Sequence, residues 1–184
     1  MRNTYLLLLF AFVSMASCQN DGAGNSNVPT FSDNGDTYCS ICEQGLCDYC
    51  VTVTGIIDGD TFRGLTKDNE EIKFRIYAID APEKAQAYGT RSRQYLSNLI
   101  FKQTVGIKIQ KKSDQYGRPV AWVFTEDGRD VSAEMLKAGM AWHYKYFDKT
   151  KKYADLEAEA RKAKVGLWAD DNPVAPWDFK KNKG

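Results

Sequence analysis

After residue 50 the chain runs through short apolar stretches separated by turn sequences, and this pattern restricts the possible folds severely. Two of the breaks are the tight turn Asp58-Gly59-Asp60 and the segment 114–118, DQYGR. A helical period appears over 88–100, and again over 131–138 and 153–163. The predicted β-strands are 51–57, 61–65, 71–77, 104–109 and 120–125.

The order of these elements is three strands, a helix, two strands and two helices. It predicts an α+β protein with a mainly β core, built as a five-stranded OB-fold Greek-key barrel with three helices packed on it. Residues 51–184 are long enough to bury one sizeable core, so one domain is the simplest count. Many OB-folds bind nucleic acid, although a fold alone does not fix a function.

Composition removes several classes of protein and of mechanism. The longest apolar run, 5–13, is about half of what a membrane-spanning helix needs, so we expect no transmembrane helix. The chain has a single histidine, His143, which excludes paired-histidine ribonucleases and two-histidine zinc hydrolases. We expect no catalytic role for His143, so any chemistry must use carboxylates, arginines or cysteines.

Residues 1–17 have the charged, apolar and small-residue regions of a secretory signal peptide. Ala16-Ser17-Cys18 resembles a bacterial lipobox, which would make Cys18 the first mature residue and the site of lipidation. Lipidation would also explain the odd total of five cysteines. We therefore expect a protein of the bacterial cell envelope, lipid-anchored and periplasmic or surface-facing, with plain secretion as the alternative.

Residues 19–36 are rich in Asn, Gly, Ser and Asp, which predicts a flexible tether. Only Arg2 of the 25 basic residues and five of the 24 acids precede residue 51, which leaves 24 basic against 19 acidic residues in 51–184. The near-neutral total therefore hides a mildly basic domain, which suits a polyanionic partner.

Candidate catalytic groups lie on the third predicted strand and just after it. Along 71–77 the apolar residues alternate with polar ones, which places Arg75 on the face opposite the core. The strand leads into Asp80-Ala81-Pro82-Glu83, where the proline holds Ala81 extended and keeps the two carboxylates apart. Asp60, on the first turn, adds another acid, and Arg118 another guanidinium.

These residue types match what hydrolysis of a phosphodiester by water requires. Asp60, Asp80 and a neighbouring backbone carbonyl would make an all-oxygen site for a hard divalent cation such as Ca²⁺. Guanidiniums offset charge on the phosphoryl oxygens, and a spare carboxylate activates the water. Each residue taken alone has an ordinary structural explanation, such as a hairpin turn, a loop or a solvated arginine.

Six motifs occur in order over 51–184: IDGDT (57–61), FRIYAIDAPE (74–83), DQYGR (114–118), EMLKAGMAW (134–142), AKVGLW (163–168) and PW (176–177). Together they resemble the staphylococcal nuclease (thermonuclease) family. The resemblance implies a Ca²⁺-dependent endonuclease that hydrolyses DNA and RNA to 3′-phosphate ends. It also implies Ca²⁺ ligation by Asp60, Asp80 and the Ala81 carbonyl, and catalytic roles for Arg75, Glu83 and Arg118.

The resemblance further places Tyr116, Tyr144 and Tyr146 around the nucleotide, as substrate-binding candidates. Ala81 stands where the family often has Thr, which a carbonyl ligand tolerates. The stretch 84–88 is shorter than the basic loop of the staphylococcal enzyme, so that enzyme's substrate preference does not carry over. We expect a monomer.

Four cysteines form a C-x2-C-x4-C-x2-C segment within 37–50, outside the resemblance. Because an exported protein enters an oxidising compartment, the spacing favours two disulfides. A four-thiolate Zn²⁺ site is the second interpretation, and an iron–sulfur cluster is disfavoured. We expect the nested pairing of Cys39 with Cys50 and Cys42 with Cys47, in a segment separable from catalysis.

Two other functions compete with hydrolysis. One is a non-catalytic module of the cell envelope that binds nucleic acid or protein on the barrel. The other is a redox or metal-binding envelope protein that acts through the cysteines. The complete set of Asp60, Arg75, Asp80, Glu83 and Arg118 favours the nuclease, because a binding module does not need all five.

Overall fold

The computed structural model describes residues 40–181, and five of its seven strands close into a barrel in the order β1-β2-β3-β6-β5. The barrel strands pair antiparallel, except that β3 and β6 run parallel. The predicted OB-type barrel is confirmed. The strands are β1 Tyr49–Ile56, β2 Thr61–Leu65, β3 Glu71–Ile76, β4 Ile79–Asp80, β5 Thr104–Lys111, β6 Val120–Thr125 and β7 Trp142–His143.

Alternation along the strands separates the barrel interior from its outer face. Val51 and Val53 of β1 are buried, whereas Thr52 and Thr54, which alternate with them, are exposed. Across the interior, the rings of Phe62 and Phe74 stack with centroids 5.3 Å apart. Apolar residues from all five strands fill the barrel, so its interior is a packed core.

The three predicted helices are present with small shifts at their ends. Two short helices, a 3₁₀ turn and the two-stranded ladder of β4 and β7 were not predicted, because elements of two to six residues carry too few periods to read from sequence. The helices are α1 Ser40–Glu43, α2 Gly89–Ile100, α3 Val131–Lys137, α4 Lys151–Lys162 and α5 Pro176–Lys181, and the 3₁₀ turn is Gly166–Ala169.

The cysteine segment packs directly on the barrel. β1 begins at Tyr49, two residues before the predicted start, so Cys50 lies inside the strand and pairs with Gly106 of β5. Ile41 of α1 is fully buried. A Cβ atom on Gly106 would lie 2.8 Å from Cys47 Sγ. The absence of a side chain at Gly106 therefore allows the cysteine segment to pack closely against β5.

Cys42 and Cys47 form a disulfide, the inner pair of the predicted nested connectivity. Cys50 is disulfide-bonded as well, and the Cys39 that the prediction assigns to it lies outside the described residues. A disulfide removes two of the thiolates that a four-cysteine zinc site requires, so the structure favours the disulfide interpretation.

The predicted signal peptide, Cys18 and the tether 19–36 also lie outside the described residues. Within 40–181, no helix combines the length and the apolar character needed to cross a bilayer.

Candidate active site

The turn after β1 is held against the start of α2. A Cβ atom on Gly59 would lie 2.9 Å from the Cβ of Ser92 in α2 and 2.7 Å from the Ala81 Cβ, so only glycine allows this approach. The backbone N–H of Asp60 donates to Asp58 Oδ1 at 3.1 Å, and the N–H of Ile76 donates to the Asp60 carbonyl at 2.8 Å. These contacts fix Asp60 beside β3 and the segment that follows it.

Asp80 reaches the same place through a bend after β3. Ala78 has φ 66°, a left-handed conformation that costs a non-glycine residue about 1–2 kcal/mol, and its carbonyl accepts from the Tyr144 N–H at 2.8 Å. The bend directs the chain into β4, where Asp80 pairs with Trp142 of β7. The short ladder therefore holds Asp80 in place.

Arg75 joins the two aspartates. Its Nη1 lies 3.1 Å from Asp60 Oδ2 and its Nη2 lies 3.0 Å from Asp80 Oδ1. The Ala81 N–H donates to Asp60 Oδ2 at 2.6 Å, which brings the backbone of Ala81 against the same carboxylate. Both aspartates are buried, with 6% of Asp60 and 3% of Asp80 exposed. The structure thus brings together four of the predicted site residues.

Burial and repulsion between carboxylates shift the pKa values of two acids in this cluster. Burial, and then the charge of Asp60, raise the pKa of Asp80 to about 6 even though Arg75 and Lys180 act in the opposite direction. Burial and Asp60 likewise raise the pKa of Asp58 to about 6. Burial and the repulsion from Asp60 therefore both act against the ionised form of these two carboxyl groups.

Glu83 lies on the loop between β4 and α2. Its backbone N–H donates to Gln86 Oε1 at 3.0 Å, its carbonyl accepts from the Gln86 N–H, and Gln86 Nε2 donates to the Val174 carbonyl at 2.7 Å. Gln86 therefore ties the Glu83 loop to the C-terminal segment. The Glu83 side chain is half-exposed and lines the same cleft as Asp60 and Asp80.

Arg118 enters the cleft from the turn between β5 and β6. Asp114 Oδ2 accepts from Arg118 Nε at 2.9 Å and from Nη2 at 2.7 Å, and Arg118 Nη1 donates to Thr61 Oγ1 at 3.2 Å. Although burial acts the other way, these N–H donors lower the pKa of Asp114. Thr61 faces Arg75 across β2 and β3, so both arginines converge beside Asp60.

One cleft of about 960 Å³ is lined by Asp60, Arg75, Asp80, Glu83 and Arg118. Of the predicted substrate-binding tyrosines, Tyr116 and Tyr144 line it, and Tyr116 is largely exposed. Tyr146 is not among the lining residues but packs on Phe147, which is, with ring centroids 4.9 Å apart. His143 is buried away from the cleft, with Nε2 2.8 Å from Asp148 Oδ1.

The sequence-based prediction missed several residues of the cleft, among them Asp58, Asp114, Trp177 and Lys180. The first two were visible as acids next to predicted site residues. Lys180 had no such signal, since it lies 100 residues from Asp80 yet places its Nζ 3.3 Å from Asp80 Oδ1. It also lies 3.0 Å from Glu83 Oε1.

The donor set suits a hard cation. Asp60 and Asp80 offer carboxylate oxygens joined by one guanidinium, and the backbone of Ala81 lies against Asp60. Oxygen donors of this kind match the preference of Ca²⁺. The residues present therefore fit a Ca²⁺ ion.

Comparison with known proteins gives a consistent result. Residues 73–170 match the model of the family described as staphylococcal nuclease homologue, a stretch that begins after Asp60 and contains Arg75, Asp80, Glu83 and Arg118. The chain is 40% identical over 149 residues to an uncharacterized endonuclease of Haemophilus influenzae, covering 80% of each chain. It is 37% identical over 144 residues to a micrococcal nuclease of Shigella flexneri, covering 73% of this chain and 82% of the relative.

The similarity extends to a plant protein. The staphylococcal-like nuclease CAN1 of Arabidopsis thaliana is 39% identical over 127 residues, which are 66% of this chain and 39% of the relative. The closed five-stranded barrel, the convergence of Arg75 and the acids, and the family match across more than half of the chain agree with one another. The chain therefore belongs to the staphylococcal nuclease family of hydrolases.

Proposed function

We propose that this chain is a Ca²⁺-dependent endonuclease that hydrolyses the phosphodiester bonds of DNA and RNA and leaves 3′-phosphate ends. The observation that carries the proposal is the convergence of Asp60, Arg75, Asp80, Glu83 and Arg118 on one cleft. The names of its relatives, endonuclease and micrococcal nuclease, support the same activity.

In this proposal Asp60 and Asp80 would hold Ca²⁺ through their side chains, and Ala81 would hold it through its carbonyl. A bound Ca²⁺ ion would act as a Lewis acid, neutralising charge on the phosphate and favouring ionisation of the attacking water. The buried carboxylates would contribute the negative charge that such a site needs, and in the metal-free protein Arg75 contacts both of them.

Other side chains of the cleft would transfer the proton and stabilise the transition state. Glu83 accepts the proton of the attacking water, a step that contributes about 10²–10⁴ in rate when a positioned base performs it. Arg75 and Arg118 donate N–H groups to the phosphoryl oxygens, whose charge grows in the five-coordinate transition state. Asp114 orients Arg118 toward Thr61 and the cleft through two of its N–H donors.

Digestion of single-stranded and duplex DNA and of RNA, with Ca²⁺ or with a chelator, tests the proposal. We expect cleavage only with Ca²⁺ and fragments that need phosphatase treatment before a polymerase extends their 3′ ends. Binding of nucleic acid without cleavage would support the non-catalytic module instead. Fragments with free 3′-hydroxyls would contradict the proposed products.

We also propose that the protein is exported and anchored through a lipidated Cys18. A single acyl chain binds a membrane only marginally, so firm retention requires the several chains of a bacterial lipoprotein anchor. The wild-type protein should fractionate with membranes, and Cys18→Ser should be soluble or unprocessed. Mass spectrometry of an unmodified mature chain that begins at Ser17 would refute the anchor.

A further inference from the structure

The C-terminal helix α5 is part of the wall of the active-site cleft. Its Trp177 stacks on Tyr144 with ring centroids 5.6 Å apart and an interplanar angle of 13°, and it meets Trp142 edge-on at 5.5 Å. The hydrogen bond from Gln86 to the Val174 carbonyl attaches the chain just before α5 to the Glu83 loop. Packing therefore fixes the place of this helix beside the acids.

Lys180, one turn after Trp177, directs its ammonium group between two of the predicted site residues. Its Nζ lies 3.3 Å from Asp80 Oδ1 and 3.0 Å from Glu83 Oε1. Asp80 Oδ1 is the same oxygen that Arg75 Nη2 contacts at 3.0 Å. A carboxylate oxygen that Ca²⁺ needs is thus shared by two cationic side chains.

We propose that Lys180 is an internal cation that competes with the divalent metal for Asp80, so that helix α5 sets the metal affinity of the site. This inference rests on the proposed function. Because an ammonium group and a Ca²⁺ ion repel each other, Lys180 must leave Asp80 when the metal binds. Its pairing with Asp80 and Glu83 stabilises the metal-free protein and lowers the apparent affinity for Ca²⁺.

Calorimetric titration of the full-length protein with Ca²⁺ at pH 8 tests the inference. Lys180→Met removes the charge and keeps an apolar side chain that spans the same path, and Lys180→Gln is a second neutral variant. We expect both to bind Ca²⁺ at least about threefold more tightly, from the loss of half-exposed ion pairs that each contribute modestly. Lys180→Arg should stay within about twofold of the wild type, since it retains the charge.

The chain offers a matched control in the next residue. Lys181 is exposed and pairs only on its own helix, with its Nζ 3.8 Å from Asp178 Oδ1. Lys181→Met should therefore leave the Ca²⁺ affinity unchanged. A second readout, the rise in melting temperature on adding Ca²⁺, should be larger in Lys180→Met than in the wild type or in Lys181→Met.

Unchanged or weaker Ca²⁺ binding in both neutral variants would overturn the inference, since weaker binding would mean that Lys180 supports the site. Absence of any heat of binding in the wild type would instead overturn the Ca²⁺ site itself. The two failures are therefore distinguishable.

Discussion

At the scale of single residues, Glu83 differs from the other acids of the cleft. Asp60 and Asp80 are buried and paired with Arg75, whereas the Glu83 carboxylate is half-exposed on a loop and forms an ion pair with Lys180. A side chain with this access to solvent suits proton transfer from water. Metal binding and proton transfer should therefore separate by mutation.

The variant Glu83→Gln keeps the size of the side chain and removes its basicity. We expect its turnover number to fall by at least about 10², the lower end of the contribution of a general base, while Ca²⁺ still binds. Glu126→Gln, on an exposed turn after β6, is the matched control and should retain the wild-type rate. Wild-type turnover in Glu83→Gln would remove Glu83 from the mechanism.

Single residues were predictable from sequence where neighbours in the chain carry the site. Arg75, Asp80 and Glu83 lie within ten residues, and strand alternation gave the orientation of Arg75. Lys180 was not predictable, because its approach to Asp80 depends on how α5 packs through Trp177 against Trp142 and Tyr144. No local pattern encodes such a long-range contact.

At the scale of elements, the cysteine segment forms part of the barrel wall. The predicted boundary between residues 50 and 51 falls inside β1, since Tyr49 pairs with Ile107 and Cys50 with Gly106. The Asp48 N–H also donates to the Ile107 carbonyl at 2.8 Å. The spacing of the cysteines predicted a cross-linked segment but carried no information about the strand on which it packs.

Gly106→Ala tests this packing. The new Cβ atom would lie 2.8 Å from Cys47 Sγ, and relief of such overpacking costs about 1–3 kcal/mol. We expect a lower melting temperature. Gly55→Ala in β1 is the matched control, because its Cβ atom would lie at an ordinary 3.6 Å from Arg63 Nε. Equal melting temperatures for the two variants would mean that the cysteine segment does not pack against Gly106 of β5.

At the scale of the whole molecule, stability and metal binding should both depend on pH through the buried acids. Asp58 and Asp80 have pKa values of about 6 in the folded chain, above their ordinary 3.8. Between pH 4 and 6 the folded metal-free protein keeps protons that the unfolded chain has released. The contribution of these groups to the free energy of unfolding therefore falls as pH rises through this window.

Ca²⁺ reverses this trend, since it binds the ionised carboxylates. We expect the difference in melting temperature between Ca²⁺ and chelator to grow from pH 4.5 to pH 7 and then to level off. Acids outside the cleft, such as Asp148, affect both conditions equally and cancel in the difference. A difference that does not change with pH would contradict the assigned pKa values.

The barrel itself was predictable as a whole, because strand order and helix position restrict a chain of this length to few topologies. The closure of the barrel by the parallel pairing of β3 with β6, and the ladder of β4 with β7, required the three-dimensional structure. These two pairings bring Arg118 and Asp80 to the cleft. The sequence thus predicted the fold class and most of the acids, and the structure supplied their arrangement.

The rate of duplex cleavage as a function of free Ca²⁺, measured for the wild type and Asp80→Asn, tests the central claim most directly. We predict no cleavage by the wild type in chelator and a saturable rise with Ca²⁺. Asp80→Asn should need at least about tenfold more Ca²⁺ for half-saturation, because even outer-shell partners of a metal affect its affinity by about 10–100-fold. Asp68→Asn, on the exposed turn after β2, should follow the wild type. Cleavage in chelator, or a wild-type curve for Asp80→Asn, would contradict the account.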